Sequence, residues 1–164
     1  MAGWSTDALP FERYEHGGLR PLEIPSGRDG TARHGYGPRV FAACGYRCAY
    51  CGFDMAATYE AWLNLSVDHV VPAHLVKLGW RREWVLDLFN LVTCCRACNE
   101  FLNGYRVVDV APPAAVEDFV IIRDRVFREK FAHAGHRHVA ERARYEAARS
   151  VGPATAQNAI GETP

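Results

Sequence analysis

The chain has 164 residues, enough for one domain with a buried core, and its 49% hydrophobic and 23% charged residues are ordinary for a globular protein. Lys and Arg balance Asp and Glu at 19 each, so net charge alone does not recommend a polyanionic partner. No run approaches the roughly 18 apolar residues of a membrane helix, and the start Met1-Ala2-Gly3-Trp4 lacks the basic-then-apolar order of a signal peptide; the expectation is a cytoplasmic protein with no membrane partner.

Residues 1–39 are rich in Gly, Pro and Arg and lack periodicity, which predicts an irregular N-terminal arm. Val40 to Cys44 is a short apolar run leading into Cys48-Ala49-Tyr50-Cys51-Gly52, a tight turn with thiols at its corners. Residues 55–63 predict a short helical or extended link. Leu65 to Val71 is β-branched and apolar and stops at Pro72, so it reads as a strand. Residues 73–89 form a connection in which Trp80 and Trp84, four apart, read better as a hydrophobic pair on a short helix than as a base-stacking grip beside Arg81 and Arg82. Asn90 to Thr93 predicts a second strand, and Arg96 to about Tyr105 a helix. Pro112-Pro113 marks a break. Helices are predicted over 114–131, as a packing support, and over 138–149, as an accessory basic grip. His133, His136 and His138 fall between them and read as a solvated turn. The tail 152–164 reads as disordered.

Charge is unevenly spread. Residues 13–51 carry a net +3, residues 54–118 a net −4 and residues 121–150 a net +4. Two basic flanks around an acidic centre suit a cation held between phosphate-gripping arms, although a scatter of surface charge gives the same count.

Six cysteines in a chain of this kind point to metal before disulfides. Cys48-x-x-Cys51 and Cys95-x-x-Cys98 stand 43 residues apart. Each pair offers two sulfurs on one side of a turn, and four thiolates complete a tetrahedral structural zinc site. Cys94 lacks the two-residue spacing and is assigned to the core, and Cys44 reads as a small buried hydrophobe.

Within the loop that this clamp closes lies Val67-Asp68-His69-Val70-Val71-Pro72. Asp68 offers a hard oxygen ligand for Mg²⁺, and His69 a base that titrates near neutrality. Neighbours on a strand point to opposite faces, so the pair shares a site only if the backbone turns there. Asn99 and Asn103 lie four apart on one helical face and would aim at the same ion. Arg96 and Arg106 flank that helix and are candidate phosphate contacts. Taken singly, each of these has a blander reading: His69 as a half-buried histidine, Asn99 as a helix cap, His74 as a surface residue.

With "VDHVVP", "NLVTCCRACN" and the two cysteine pairs in place, the chain resembles the HNH endonuclease superfamily over about residues 44–106. That resemblance implies an α+β fold: a small ββα-metal core with a four-cysteine zinc knuckle (40–110), extended by the N-terminal arm and a C-terminal helical part (111–151). It implies Asp68 as metal-binding acid, His69 as general base, and Asn90 as the residue bracing the loop that presents the base. Asn99 stands where many members have a histidine ligand, which makes this an H-N-N variant favouring hard ions such as Mg²⁺ or Mn²⁺; Asn103 is a further candidate ligand. The implied activity is hydrolysis of phosphodiester bonds in DNA, duplex before single-stranded, leaving 5′-phosphate and 3′-hydroxyl ends. The alternatives are a non-catalytic zinc-stabilised nucleic-acid-binding module and a zinc scaffold for a protein partner.

Overall fold

A computed structural model describes residues 36–108 and 110–150. Most of the expected arm and the whole tail from 152 lie outside the described residues. The elements run α1 (Gly37–Ala43), α2 (Tyr59–Trp62), β1 (Leu65–His69), a 3₁₀ turn (Ala73–Leu78), α3 (Arg82–Val85), a second 3₁₀ turn (Leu88–Asn90), β2 (Leu91–Cys95), α4 (Arg96–Leu102) and α5 (Val116–Ser150). The chain is thus mixed helix and strand. Among the described residues no helix is long and apolar enough to cross a membrane.

The strands form a two-stranded antiparallel sheet, with Leu65 opposite Cys95, Asp68 opposite Val92 and His69 opposite Leu91. The first strand is shorter than its apolar run, which continues to Val71. Val70 still donates to Asn90 O. The backbone of Val71 then bonds the Asn90 side chain instead of a strand, so the ladder ends and Pro72 opens a 3₁₀ turn. The second strand runs further than its β-branched core and carries both Cys94 and Cys95. Every residue of it is buried, which suits a strand covered on both faces.

Three further expectations are corrected. Residues 37–39 are not irregular: they open α1, which has Pro near its first position, where the missing N–H costs nothing, and which buries Val40 and Phe41. The helix after Cys95 stops at Leu102, before Asn103-Gly104. The two C-terminal helices are one, 35 residues long and therefore about 52 Å from end to end. The His-rich tract holds one glycine and no proline. A mid-helix glycine costs roughly 1 kcal/mol, too little to break a helix whose flanks favour it and whose Ala134 is fully buried.

α5 spans two apolar clusters. Val126, Phe127 and Ala134 join one with Val40, Phe41, Leu91, Val92 and Leu102 around the sheet. Phe119 joins the other with Val71, Leu75, Trp80, Val85 and Phe89. Trp80, Trp84 and Phe89 all lie with ring centroids 5.3–6.2 Å from that of Phe119, so the tryptophan pair packs on the core. Arg81 sits over Trp84 at 4.6 Å and is itself exposed.

Phe119 is fully buried at the meeting of these rings. Phe119→Ala should therefore destabilise the fold by about 3–5 kcal/mol, read as a lowered urea midpoint with an unchanged slope.

Candidate metal centre and adjoining cavity

Cys48 and Cys51 flank a turn closed by Gly52 N–H donating to Cys48 O at 2.9 Å. Gly52 has φ of 72°, a conformation glycine adopts without steric cost. The turn is tied to β2 by Ala49 N–H donating to Thr93 O at 2.9 Å. Cys95 ends β2 and caps α4, its sulfur accepting from Cys98 N–H at 3.5 Å. These local features bring the sulfurs of Cys48, Cys51, Cys95 and Cys98 within 4.8 Å of one another. Four cysteines so placed can hold one metal ion.

Their crowding splits their acidities. Hydrogen bonding from Cys48, then Cys51 and Cys98, draws Cys95 down; contact with Cys48, then Cys51 and Cys95, pushes Cys98 up. Sulfurs packed this closely cannot all carry charge unless a cation lies among them. Cys44 and Cys94 stand apart from the tetrad and are buried. The sulfur of Cys44 accepts from Thr93 N–H at 3.4 Å, and burial raises the Cys94 thiol.

An open cavity of about 240 Å³ lies at the end of β1. Asp68, His69, His74, Asn99, Asn103 and Arg106 line it together with Tyr105 and Lys130. Asp68 and His69 are neighbours at the end of β1, and both line this space. Asn99 donates through its amide nitrogen to Ser66 Oγ at 3.1 Å, and Asn103 caps the end of α4. Arg106 bonds the carbonyls of Asn103 and Tyr105 and is exposed. Arg96 is exposed at the other end of α4 and is not among the residues of the cavity.

Asn90 lies behind this space, with 0% exposure. Its Oδ1 accepts from Val71 N–H at 2.9 Å, and its Nδ2 donates to Val71 O at 2.9 Å and Val85 O at 2.7 Å. It therefore fixes the segment that immediately follows His69. Burial is the main reason that His69 is held below the usual imidazole value, opposed by the Asp68 charge. Neutral imidazole, the form that accepts a proton, is thereby favoured near neutral pH.

Three partners of these residues were not legible from motifs. Lys130, only 2% exposed, donates to Asp68 Oδ2 at 2.8 Å, Asp68 Oδ1 at 3.1 Å and His69 O at 2.8 Å. Tyr50 donates to Asp68 Oδ2 at 2.5 Å; burial first, then the Asp68 charge, keeps that hydroxyl protonated. His138, expected in a solvated turn, lies on α5 with Nε2 3.1 Å from Cys98 Sγ and its ring edge-on to Phe101. A signal for Lys130 did exist. Phe119, Arg123, Val126, Phe127, Lys130 and Ala134 are the buried residues of α5 and fall on one helical stripe. A cation on such a stripe needs a buried partner. For Arg123 the partners are Phe89 O at 2.8 Å and Asp124.

Comparison with known proteins adds no relative: no family model, no curated protein and no solved structure matches the chain significantly.

The sulfur tetrad predicts one tightly bound metal ion per chain by elemental analysis. Cys98→Ala should lose it and lower the melting temperature by about 10 °C or more, since the binding of a structural metal is in general coupled to folding. Retention of full metal content by that variant would show that the cluster is not the binding site.

Proposed function

We propose that the chain is a metal-dependent endonuclease of HNH type, hydrolysing phosphodiester bonds in DNA to 5′-phosphate and 3′-hydroxyl ends. The observation that carries this reading is the cavity itself. It gathers a carboxylate, a histidine of lowered basicity, two carboxamides and an arginine. One of those carboxamides, Asn99, sits on a helix whose first turn is pinned by the cysteine cluster.

The two sets of ligands differ in kind. The tetrad is all sulfur, the set typical of structural zinc. Asp68, Asn99 and Asn103 offer hard oxygens, which suit Mg²⁺ or Mn²⁺. A hard ion bound there would relieve charge developing on the phosphate and the departing oxygen. The remaining chemistry belongs to the chain. His69, neutral and half-buried, takes a proton from the attacking water. Asn90 holds the backbone after it, so that the imidazole keeps its direction. Arg106, exposed at the rim, contacts a phosphate of the strand and positions it. One such site cuts one strand.

One observation favours a second reading. Asp68 is already balanced by Lys130, as suits a non-catalytic, zinc-stabilised module that binds nucleic acid without cleaving it.

Cleavage of supercoiled plasmid with Mg²⁺ or Mn²⁺ separates the two. His69→Ala should slow cleavage by roughly 10²–10⁴-fold while leaving DNA binding intact, and Asp68→Ala should abolish it. Full activity of His69→Ala at neutral pH would rule out the assigned base, and binding without cleavage across several metals would establish the module. Arg106→Ala should weaken binding to all sequences alike and reduce the salt dependence by about one phosphate contact. An unchanged slope would remove Arg106 from the interface.

A further inference from the structure

We propose that Lys130 occupies the cation position on Asp68, so that a divalent ion enters the cavity by displacing it. The inference rests on the reading of Asp68 as a metal ligand and adds a control element to that site.

Three observations carry it. First, the Lys130 ammonium faces three oxygens: both carboxylate oxygens of Asp68 and the carbonyl of His69, all within 3.1 Å. An ammonium has three N–H donors, so its bonding is complete there. These are also the hard oxygens that a divalent ion would use. Second, Asp68 is the one carboxylate lining the cavity among the described residues, whereas Lys130 and Arg106 both bring positive charge. With Lys130 in place, no uncompensated negative charge is left to attract a dication, and the carboxamides of Asn99 and Asn103 add none. Tyr50 takes a further share of Oδ2 at 2.5 Å. Third, the ammonium has somewhere to go. It already lies 5.7 Å from the ring centroid of Tyr105, which lines the same cavity and offers a π face to a cation.

Two cations competing for one carboxylate are linked: each weakens the other by the same factor. Removing the lysine charge should therefore strengthen metal binding, the opposite of what removing a metal-binding or phosphate-binding residue would do. The sequence provides a convenient internal control, since its two lysines are Lys77, which is exposed, and Lys130.

The test uses the purified 164-residue chain with Mn²⁺ alone as probe. Acetylation of the two lysines by acetic anhydride is followed by peptide mass spectrometry. Without Mn²⁺, Lys130 should label far more slowly than Lys77. Mn²⁺ at saturating concentration should raise the Lys130 rate several-fold and leave Lys77 unchanged. In parallel, Mn²⁺ affinity is measured by electron paramagnetic resonance. Lys130→Gln should bind at least about tenfold more tightly than the parent, Lys130→Arg should not, and Asp68→Asn added to Lys130→Gln should erase the gain. Unchanged protection of Lys130 while Mn²⁺ is bound overturns the proposal, as does equal or weaker Mn²⁺ binding by a folded Lys130→Gln, or no binding by either protein. The labelling needs no variant, so a Lys130→Gln that fails to fold leaves the proposal open to refutation. If Lys130→Gln gains Asp68-dependent affinity yet neither protein cuts DNA, the nuclease reading fails and the displacement stands.

Discussion

Four sulfurs from two distant stretches of chain meet within 4.8 Å, and the arrangement of the cavity follows from that meeting. One pair lies on the turn after α1, the other at the junction of β2 and α4. Without a cation, packing them together sets thiol against thiol, and their acidities split in opposite directions. With one, the same crowding becomes a closed tetrahedral set whose binding energy is folding energy. The consequence for α4 is direct. This helix has only seven residues, too short to persist alone in water, and its first turn is built on Cys95 and Cys98. Fixing those two sulfurs fixes the direction in which Asn99 and Asn103 are offered to β1. The contact from His138 to Cys98 extends the same constraint to α5.

Short-range spacing carried much of this into the sequence. The paired Cys-x-x-Cys motifs are local geometry, so the tetrad could be named from residue types and intervals alone, as could the exclusion of Cys94. The helical interval between Asn99 and Asn103 placed both on one face, and both line the cavity. What the sequence obscured were contacts that depend on long-range docking. Lys130 lies 62 residues from Asp68, and nothing in the interval between them announces the pair. The break expected in the His-rich tract failed for a related reason. Local polarity suggested a turn, but Ala134 packs into the core and His138 reaches the cysteine cluster, so tertiary contacts carry the helix through. β1 ends two residues before its apolar run does, because the Asn90 side chain takes the backbone bonds of Val71, which periodicity cannot show.

The buried stripe of α5 carries two cations where apolar side chains would be expected. Arg123 is 4% exposed and Lys130 2%, and buried charge is costly unless it is paired and hydrogen-bonded. Both meet that requirement. Arg123 bonds the carbonyl of Phe89, at the end of the segment leading to Asn90. Lys130 bonds the carbonyl of His69 as well as Asp68. The two cations therefore grip the backbone on the two sides of the sheet end, one just before β2 and one at the close of β1. Apolar residues at these positions could bury surface, but they could not specify which carbonyls the helix faces.

Under the proposed displacement, the same pairing means that the cavity offers oxygen ligands without being a ready-made cation site. A carboxylate with no nearby cation attracts a divalent ion through its charge. Asp68 has spent that attraction on an ammonium held by three oxygens, and a tyrosine hydroxyl shares the same carboxylate. Around it stand neutral amides, a histidine kept neutral by burial and an exposed arginine. The resulting field is neutral to positive, one that favours an anionic phosphate over a bare dication. Binding of a phosphate would itself restore the missing negative charge and with it the attraction for a second cation. On the proposed reading, a metal and a polyanion would assist each other's binding in this cavity, and Lys130 would set how much assistance is needed.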